Sequence, residues 1–404
     1  MGVEHLPGVK ALRPRPSGLL TPPPALEVDC RTTCDDGAEV GKRQKSTEGV
    51  VGVSAALLGG CRKEDCFRKL NRIAEGTYGV VYRACDLQTG EVVALKQLKL
   101  DAAKATEDGF PILLLREISI LMQMDHPNIV RCREVVVGTR QHVFMVMDYA
   151  EHELKMLLDR HRFAIAEVKC LLAQLLAAVE FLHERWVVHR DLKTSNIVLT
   201  NKGVLKLCDF GLARYYGEPK KPYTQRVVSL WYRAPELLMG QEVYTTCVDV
   251  WSVGCVFAEM LLGRPVFEGK AELHQLCLIY ELVGVPTEET WPGYNSLPNR
   301  KLFEFKLSLP RWQTTFPDVI SDVGLELLKS LLECCPARRV SAATACHDPY
   351  FMEFPHPQDP NLLPTFQESN NEGRARPRIG PVRVIRRDSR NQLASLVSHS
   401  ANLR

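Results

Sequence analysis

No stretch of the chain is apolar for long enough to cross a bilayer; Val50 to Leu58 is apolar but far short of the ~20 residues a span requires. The N-terminus lacks a basic region followed by an apolar core and a cleavage site, so neither secretion nor a membrane partner is expected. Charge of one sign is missing too. The 51 Lys and Arg stand against 48 Asp and Glu, and a net +3 gives no reason to expect direct nucleic-acid binding. Cysteine is not scarce, but regular spacing among the 14 cysteines is. Several, such as Cys132, Cys170, Cys208, Cys255 and Cys277, sit inside apolar segments, which suits reduced thiols better than a disulfide framework. Cys30, Cys34, Cys61 and Cys66 are irregularly spaced with no accompanying His, which argues against a metal site. Internal repeats are absent. The expected location is nuclear and/or cytoplasmic. What is present is an ordinary soluble composition, 45% apolar and 25% charged, in a chain of 404 residues, long enough for two packed lobes with flanking tails.

Residues 1–60 carry basic and Pro-rich pieces, Arg13-Pro14-Arg15-Pro16 and Pro22-Pro23-Pro24, with little periodicity; a disordered extension is expected. From Phe67 the pattern is β. Ile73 to Tyr82 is apolar and β-branched on both sides of a Gly turn, as in a hairpin, and Val92-Val93-Ala94-Leu95-Lys96 reads as a strand ending in one Lys. Pro111 opens a helical run through Met122, followed by β-rich Ile129–Val137 and Val143–Met147. Residues 67–150 therefore form a β-rich lobe with one helix. Residues 151–353 are mainly helical. Val168 to His183 has apolar residues three and four apart, and Val248 to Leu262 is apolar nearly all round, as a central buried helix would be. Residues 354–404 are polar and basic, with Arg374, Arg376, Arg378, Arg383, Arg386 and Arg387, and are expected to be a mostly disordered tail. That tail reads either as a nuclear-localisation element or as a solvated linker. The fold class expected is α+β.

The chemistry concentrates in two runs, His189-Arg190-Asp191-Leu192-Lys193-Thr194-Ser195-Asn196 and Asp209-Phe210-Gly211. In this order and at this separation they resemble the H-R-D-L-x-x-x-N and D-F-G motifs of protein kinases, which implies a bilobal protein-kinase fold. Phosphoryl transfer needs a carboxylate to orient a hydroxyl and accept its proton, and oxygen ligands for magnesium on the phosphates. Asp191 fits the first role; Asn196 and Asp209 fit the second. Lys193 can stabilise the transferring group as a point charge, and its place after Asp191 resembles the Ser/Thr kinases. Lys96, in a V-A-L-K setting, is assigned to the ATP phosphates and to an ion pair with Glu117. The Gly turn, Ala74-Glu75-Gly76-Thr77-Tyr78-Gly79-Val80, should fold over the phosphates, although Ala74 stands where the first glycine is usual. Ile73, Val81, Ala94 and Val198 are candidates to sandwich the adenine. Met147 would stand behind it, with Asp148 to Ala150 as the hinge. Ser229 is placed to steady Asp191 and Lys193, and Arg339 to pair with Glu236 of Ala234-Pro235-Glu236.

Over about 60–366 the chain resembles the cyclin-dependent kinase family. Pro111-Ile112-Leu113-Leu114-Leu115-Arg116-Glu117 stands where a branch of that family carries P-I-S-S-L-R-E. The resemblance implies a cyclin partner at this helix, ATP and Mg²⁺ as cofactors, and protein substrates with Ser/Thr-Pro, with Val227, Val228 and Arg233 favouring the proline. It also implies an activating phosphosite at Thr224, gathering Arg116, Arg190 and Arg214, and inhibitory phosphosites at Thr77 and Tyr78. A T-x-Y pair is absent around Thr224, which sets the chain apart from mitogen-activated kinases. Three departures stand out: Ala74, Cys335 in place of an Asp before Pro336, and Leu113 and Leu114 in place of two serines. The last suggests a more apolar partner face or a different lobe packing. A weakly active scaffold that binds a cyclin is the alternative reading.

Overall fold

The computed structural model describes residues 61–76, 79–98, 112–138, 142–216, 228–302, 305 and 309–368. Pro111, Thr77, Tyr78, Val227 and Thr224 lie outside these residues, as do residues 1–60 and the basic part of the tail.

The first lobe is a five-stranded antiparallel sheet in the order β1 (Phe67–Gly76), β2 (Gly79–Asp86), β3 (Val92–Leu98), β5 (Val143–Asp148) and β4 (Cys132–Val137). Short connections make neighbours of β1 and β2, β2 and β3, and β4 and β5, whereas the long connection carrying the helix sends β4 to the edge beyond β5. Residues 61–66, left unassigned by the sequence pattern, join this lobe. Arg62 bridges Asp86 (2.8 Å) and Glu134 (3.0 Å), and Lys63 bridges to Val137. One helix, α1 (Ile112–Gln123), packs beside the sheet. Its Leu114, Glu117, Ile120 and Leu121 are buried at three- and four-residue spacing, whereas Leu115 and Met122, seven apart, are exposed. Leu114 thus serves lobe packing.

The second lobe is built on α2 (Ile165–Glu184) and α3 (Cys247–Leu262), which pack together. Helix α2 extends the expected helix by three residues at its start and one at its end, and α3 by one residue at its start. Helix α3 is buried from Val248 through Met260, which explains its apolar circumference. It stops at Gly263, whose φ of 67° is the left-handed conformation glycine adopts without strain. The small strands β6 (His152–Glu153), β7 (Ile197–Leu199) and β8 (Leu205–Leu207) form a sheet that carries the loops facing the first lobe. The α+β, two-lobe expectation therefore holds. At the start of the expected tail, Leu363 and Phe366 are buried at 5% and 4% exposure, while Phe354 and Leu362 stand exposed. Two apolar residues in a polar stretch found a buried site that local composition does not reveal. Among the described residues no helix is long and apolar enough to cross a membrane.

Candidate active site

Between the lobes lies a cavity of about 610 Å³, the size of a small-molecule site. Ile73, Ala74, Glu75, Gly79, Val81, Ala94, Lys96, Glu117, Met147, Asp148, Ala150, Asp191, Lys193, Asn196, Val198 and Asp209 all line it. Val80 does not. Successive strand residues face opposite sides, so the alternation that turns Gly79 and Val81 to the cavity turns Val80 away. How exposed Gly76 is lies outside what the described residues give. Gly79 is required by space: a Cβ there would fall 2.1 Å from the Gln97 carbonyl oxygen of β3. The sequence pattern missed Val130, His152, Glu153 and Met156, which also line the cavity, as do Tyr149 of the expected hinge and Cys208.

From the first lobe, Lys96 on β3 reaches Glu117 on α1 at 2.5 Å and Asp209 at 3.3 Å. Burial disfavours the Lys96 ammonium, but the two carboxylates outweigh it and hold its pKa above the ordinary value. Burial likewise pushes Asp209 up, and Lys96 overrides this to leave it lowered. Both groups are therefore charged at neutral pH. Glu117 Oε2 is buried without a hydrogen-bond partner among the described residues.

From the second lobe comes the catalytic loop. Asp191 Oδ2 accepts from Lys193 Nζ at 2.7 Å and from Asn196 Nδ2 at 3.0 Å; Oδ1 accepts from the Ser229 hydroxyl at 3.0 Å. Lys193 also donates to Ser229 at 3.0 Å, as the sequence placed it to do. Asn196 Nδ2 donates to the Asp191 carbonyl as well, at 2.8 Å, so these bonds use only its amide nitrogen. Behind the loop sits a residue that sequence reasoning missed. Asp249 of α3 accepts from the backbone of His189 (2.8 Å) and Arg190 (2.9 Å) and bonds His183 Nε2 at 3.0 Å. These bonds hold Arg190 at φ 66°, a costly conformation for a side chain with a Cβ. Burial raises the Asp249 carboxyl, yet the His183 hydrogen bond and the histidine charges keep it below the usual range. Thr194 and Tyr232 similarly bond Glu259 at 3.1 and 2.6 Å. Two carboxylates in an otherwise apolar buried helix were the available signal for both.

His189 Nε2 pairs with the Cys208 carbonyl at 3.1 Å, and its ring stands edge-on to Phe210, centroids 4.9 Å apart. This ties the two motifs together. The Cys208 thiol donates to the Asn196 carbonyl at 3.2 Å, and burial pushes its pKa up to about 12, so it is a packed thiol rather than a reactive one. Arg339 and Glu236 form a fully buried fork at 2.7 and 2.9 Å. Cys335 is buried, and its carbonyl accepts from the backbone of Arg338 and Arg339, a role that does not need an Asp side chain. Arg116, Arg190 and Arg214 come together. Burial first, then the charges of Arg214 and Arg190, lowers the Arg116 pKa. Arg190 also donates to Tyr244 at 3.1 Å and to the Leu212 carbonyl at 2.7 Å.

Residues 67–351 match the family described as Protein kinase domain. The chain is 49% identical over 324 residues to Cyclin-dependent kinase G-2 of Oryza sativa subsp. japonica, covering 78% of this chain and 45% of that protein. It is 50% identical over 328 residues to Serine/threonine-protein kinase PITSLRE of Drosophila melanogaster, covering 78% and 34%. Against Cyclin-dependent kinase 11B of Rattus norvegicus it is 47% identical over 319 residues, covering 78% and 72%. The chain thus spans less than half the length of the rice relative. With the shared motifs assembled around one cavity, the chain belongs to the protein kinase family and, within it, to the cyclin-dependent kinases.

Proposed function

We propose that this chain is a cyclin-dependent, proline-directed Ser/Thr kinase that transfers the γ-phosphoryl group of ATP to protein hydroxyls. The observation that carries this reading is the convergence of Lys96, Glu117, Asp191, Lys193, Asn196 and Asp209 on one cavity. Asp191 accepts the substrate hydroxyl proton, and Lys193 offsets charge on the transferring group. Lys96 steadies the ATP phosphates beneath the Gly turn. Mg²⁺ fits the donor set. Asn196 keeps its amide oxygen outside the bonds above, Asp209 offers a carboxylate, and among the described residues no larger His, Cys, Asp or Glu cluster exists. That is the sparse protein share typical of magnesium held largely by phosphates. When bound, the metal would neutralise phosphate charge.

The exposed Leu115 and Met122 stripe on α1 supports a cyclin docking there, since the partner would hold the helix that carries Glu117. The three gathered arginines support Thr224 as an activating phosphosite, and Thr77 and Tyr78 would be inhibitory ones. Within the family, Val135-Val136-Val137-Gly138, Trp291-Pro292-Gly293 and Leu363-Pro364-Thr365-Phe366 support a place near cyclin-dependent kinase 10. The test is phosphate transfer from ATP-Mg²⁺ to Ser-Pro peptides by the purified chain, alone and with candidate cyclins, beside Asp209→Asn. Transfer that needs a cyclin and vanishes in the variant is expected. Tight cyclin binding with no transfer above the variant would favour the scaffold reading.

A further inference from the structure

Outside the cavity, the end of the described chain runs from the helical lobe back to the β-rich lobe. The Gln358 N–H donates to the Ala166 carbonyl at 2.9 Å, at the start of α2. The Pro360 carbonyl lies so close to Gly203 that a Cβ on that glycine would fall 1.8 Å from it. Phe366 then buries its ring edge-on to His152, His161 and Phe163, with centroids 5.7, 5.2 and 6.3 Å away. Two residues later, Glu368 meets Arg83 of β2 at 3.3 Å. The Arg83 guanidinium also lies over the Tyr149 ring, 5.4 Å from its centroid.

Tyr149 and His152 line the cavity in the connection between β5 and the helical lobe. The segment therefore reaches the hinge residue Tyr149 through Arg83, and His152, just beyond the hinge, through Phe366, and it has an anchor in each lobe. We propose that Leu363–Glu368 is a strap across the hinge that holds β2 over the nucleotide, with Phe366 and Glu368 as positioning residues. The inference rests on the nucleotide-binding reading above. A nucleotide held between two lobes binds more weakly when the lobes must first be brought into register, and a strap anchored on both lowers that cost. The Arg83–Glu368 pair is partly exposed, with side-chain exposures of 16% and 23%, so its individual effect is modest.

The test uses the full chain with Glu368→Gln, Arg83→Gln, the double variant, the exchange R83E/E368R, and Phe366→Ala. Binding of a non-hydrolysable ATP analogue with Mg²⁺ is measured by calorimetry, and hydrogen exchange of residues 147–153 is followed without nucleotide. Glu368→Gln and Arg83→Gln should each weaken analogue binding by about two- to fivefold, the size of one exposed ion pair. The double variant should lose no more than either single one, and the exchange should recover most of the loss. KM for ATP should rise with KM for the peptide unchanged, and Glu368→Gln should speed hinge exchange without lowering the unfolding temperature. Phe366→Ala should speed hinge exchange further; if it unfolds, the Glu368 and Arg83 variants decide. Unchanged affinity with unchanged hinge exchange in Glu368→Gln, or fully additive single losses, would overturn the strap. A wild-type chain that binds no analogue would sink the nucleotide reading instead, and hinge exchange in the nucleotide-free chain would still decide the strap.

Discussion

Behind the catalytic loop of the helical lobe, Asp249 takes three hydrogen bonds, Glu259 two and Glu236 a two-pronged fork from Arg339. In the β-rich lobe, Glu117 meets Lys96 through one oxygen, while the other is buried without a hydrogen bond among the described residues. A buried carboxylate with all its acceptors used is fixed, whereas one with half of them idle costs less to pull away. The contrast separates two duties. The helical lobe holds Asp191, the proposed proton acceptor, in place, and α1 carries Glu117, which the proposed partner would engage or release. An apolar stripe, Leu115 and Met122, lies on the outer face of that same helix.

The contrast can be pressed hardest at Asp191. Asp191→Asn keeps the shape and, through its single amide oxygen, the contact to Lys193, but it cannot take a proton, so transfer should fall by about 10²–10⁴-fold. Binding of the ATP analogue should be nearly unchanged. Turnover that survives the substitution would remove Asp191 from the role of base. Next is the fixed side of the comparison. Glu236→Ala leaves the fully buried Arg339 uncompensated and should lower stability by about 3–5 kcal/mol, read from urea unfolding. Stability within a few tenths of wild type would show that the fork is not a clamp. On the loose side, Glu117→Gln should cut transfer by up to about 10²-fold through misplaced Lys96. Its unfolding midpoint should hardly move, because the native Glu117 is only half satisfied. A large stability loss there would erase the distinction between the lobes.

The same distinction governs what could be read from residues alone. Asp191, Lys193, Asn196 and Asp209 were legible because their spacing is local and the loop's chemistry fixes it. Lys96 and Glu117 were legible as a pair only through the setting of each, one at a strand end and one on the Pro111 helix. Asp249 and Glu259 were not, since what identifies them is contact with loops some 60 residues earlier in the chain. They looked like interruptions of an apolar helix. Val80 shows a simpler limit: a contiguous motif is not a contiguous surface, and strand alternation turns the Val80 side chain away from the cavity. Leu363 and Phe366 lay in polar surroundings, so only the fold revealed that the helical lobe has a place for them.

The smallest expected effect lies at Ala74, on the first strand above the cavity. Its partner across the hairpin is Val81, and the turn beyond it closes at Gly76 and Gly79. A methyl at this position lines the cavity where a nucleotide phosphate or ribose would come near. Ala74→Gly removes the methyl and should tighten ATP by up to about 1.4 kcal/mol, tenfold at most. Stability falls in return, because glycine in a strand carries more chain freedom to lose on folding. The two terms differ in their reach. Steric relief acts only on the bound nucleotide, whereas added freedom lowers stability with or without it. Measuring ATP-analogue affinity and unfolding midpoint on the same variant separates them. Tighter binding with a slightly lower midpoint is the expected outcome. Unchanged binding would mean that the Ala74 methyl stands clear of the nucleotide, and the departure from glycine would then have no bearing on how well this chain holds ATP.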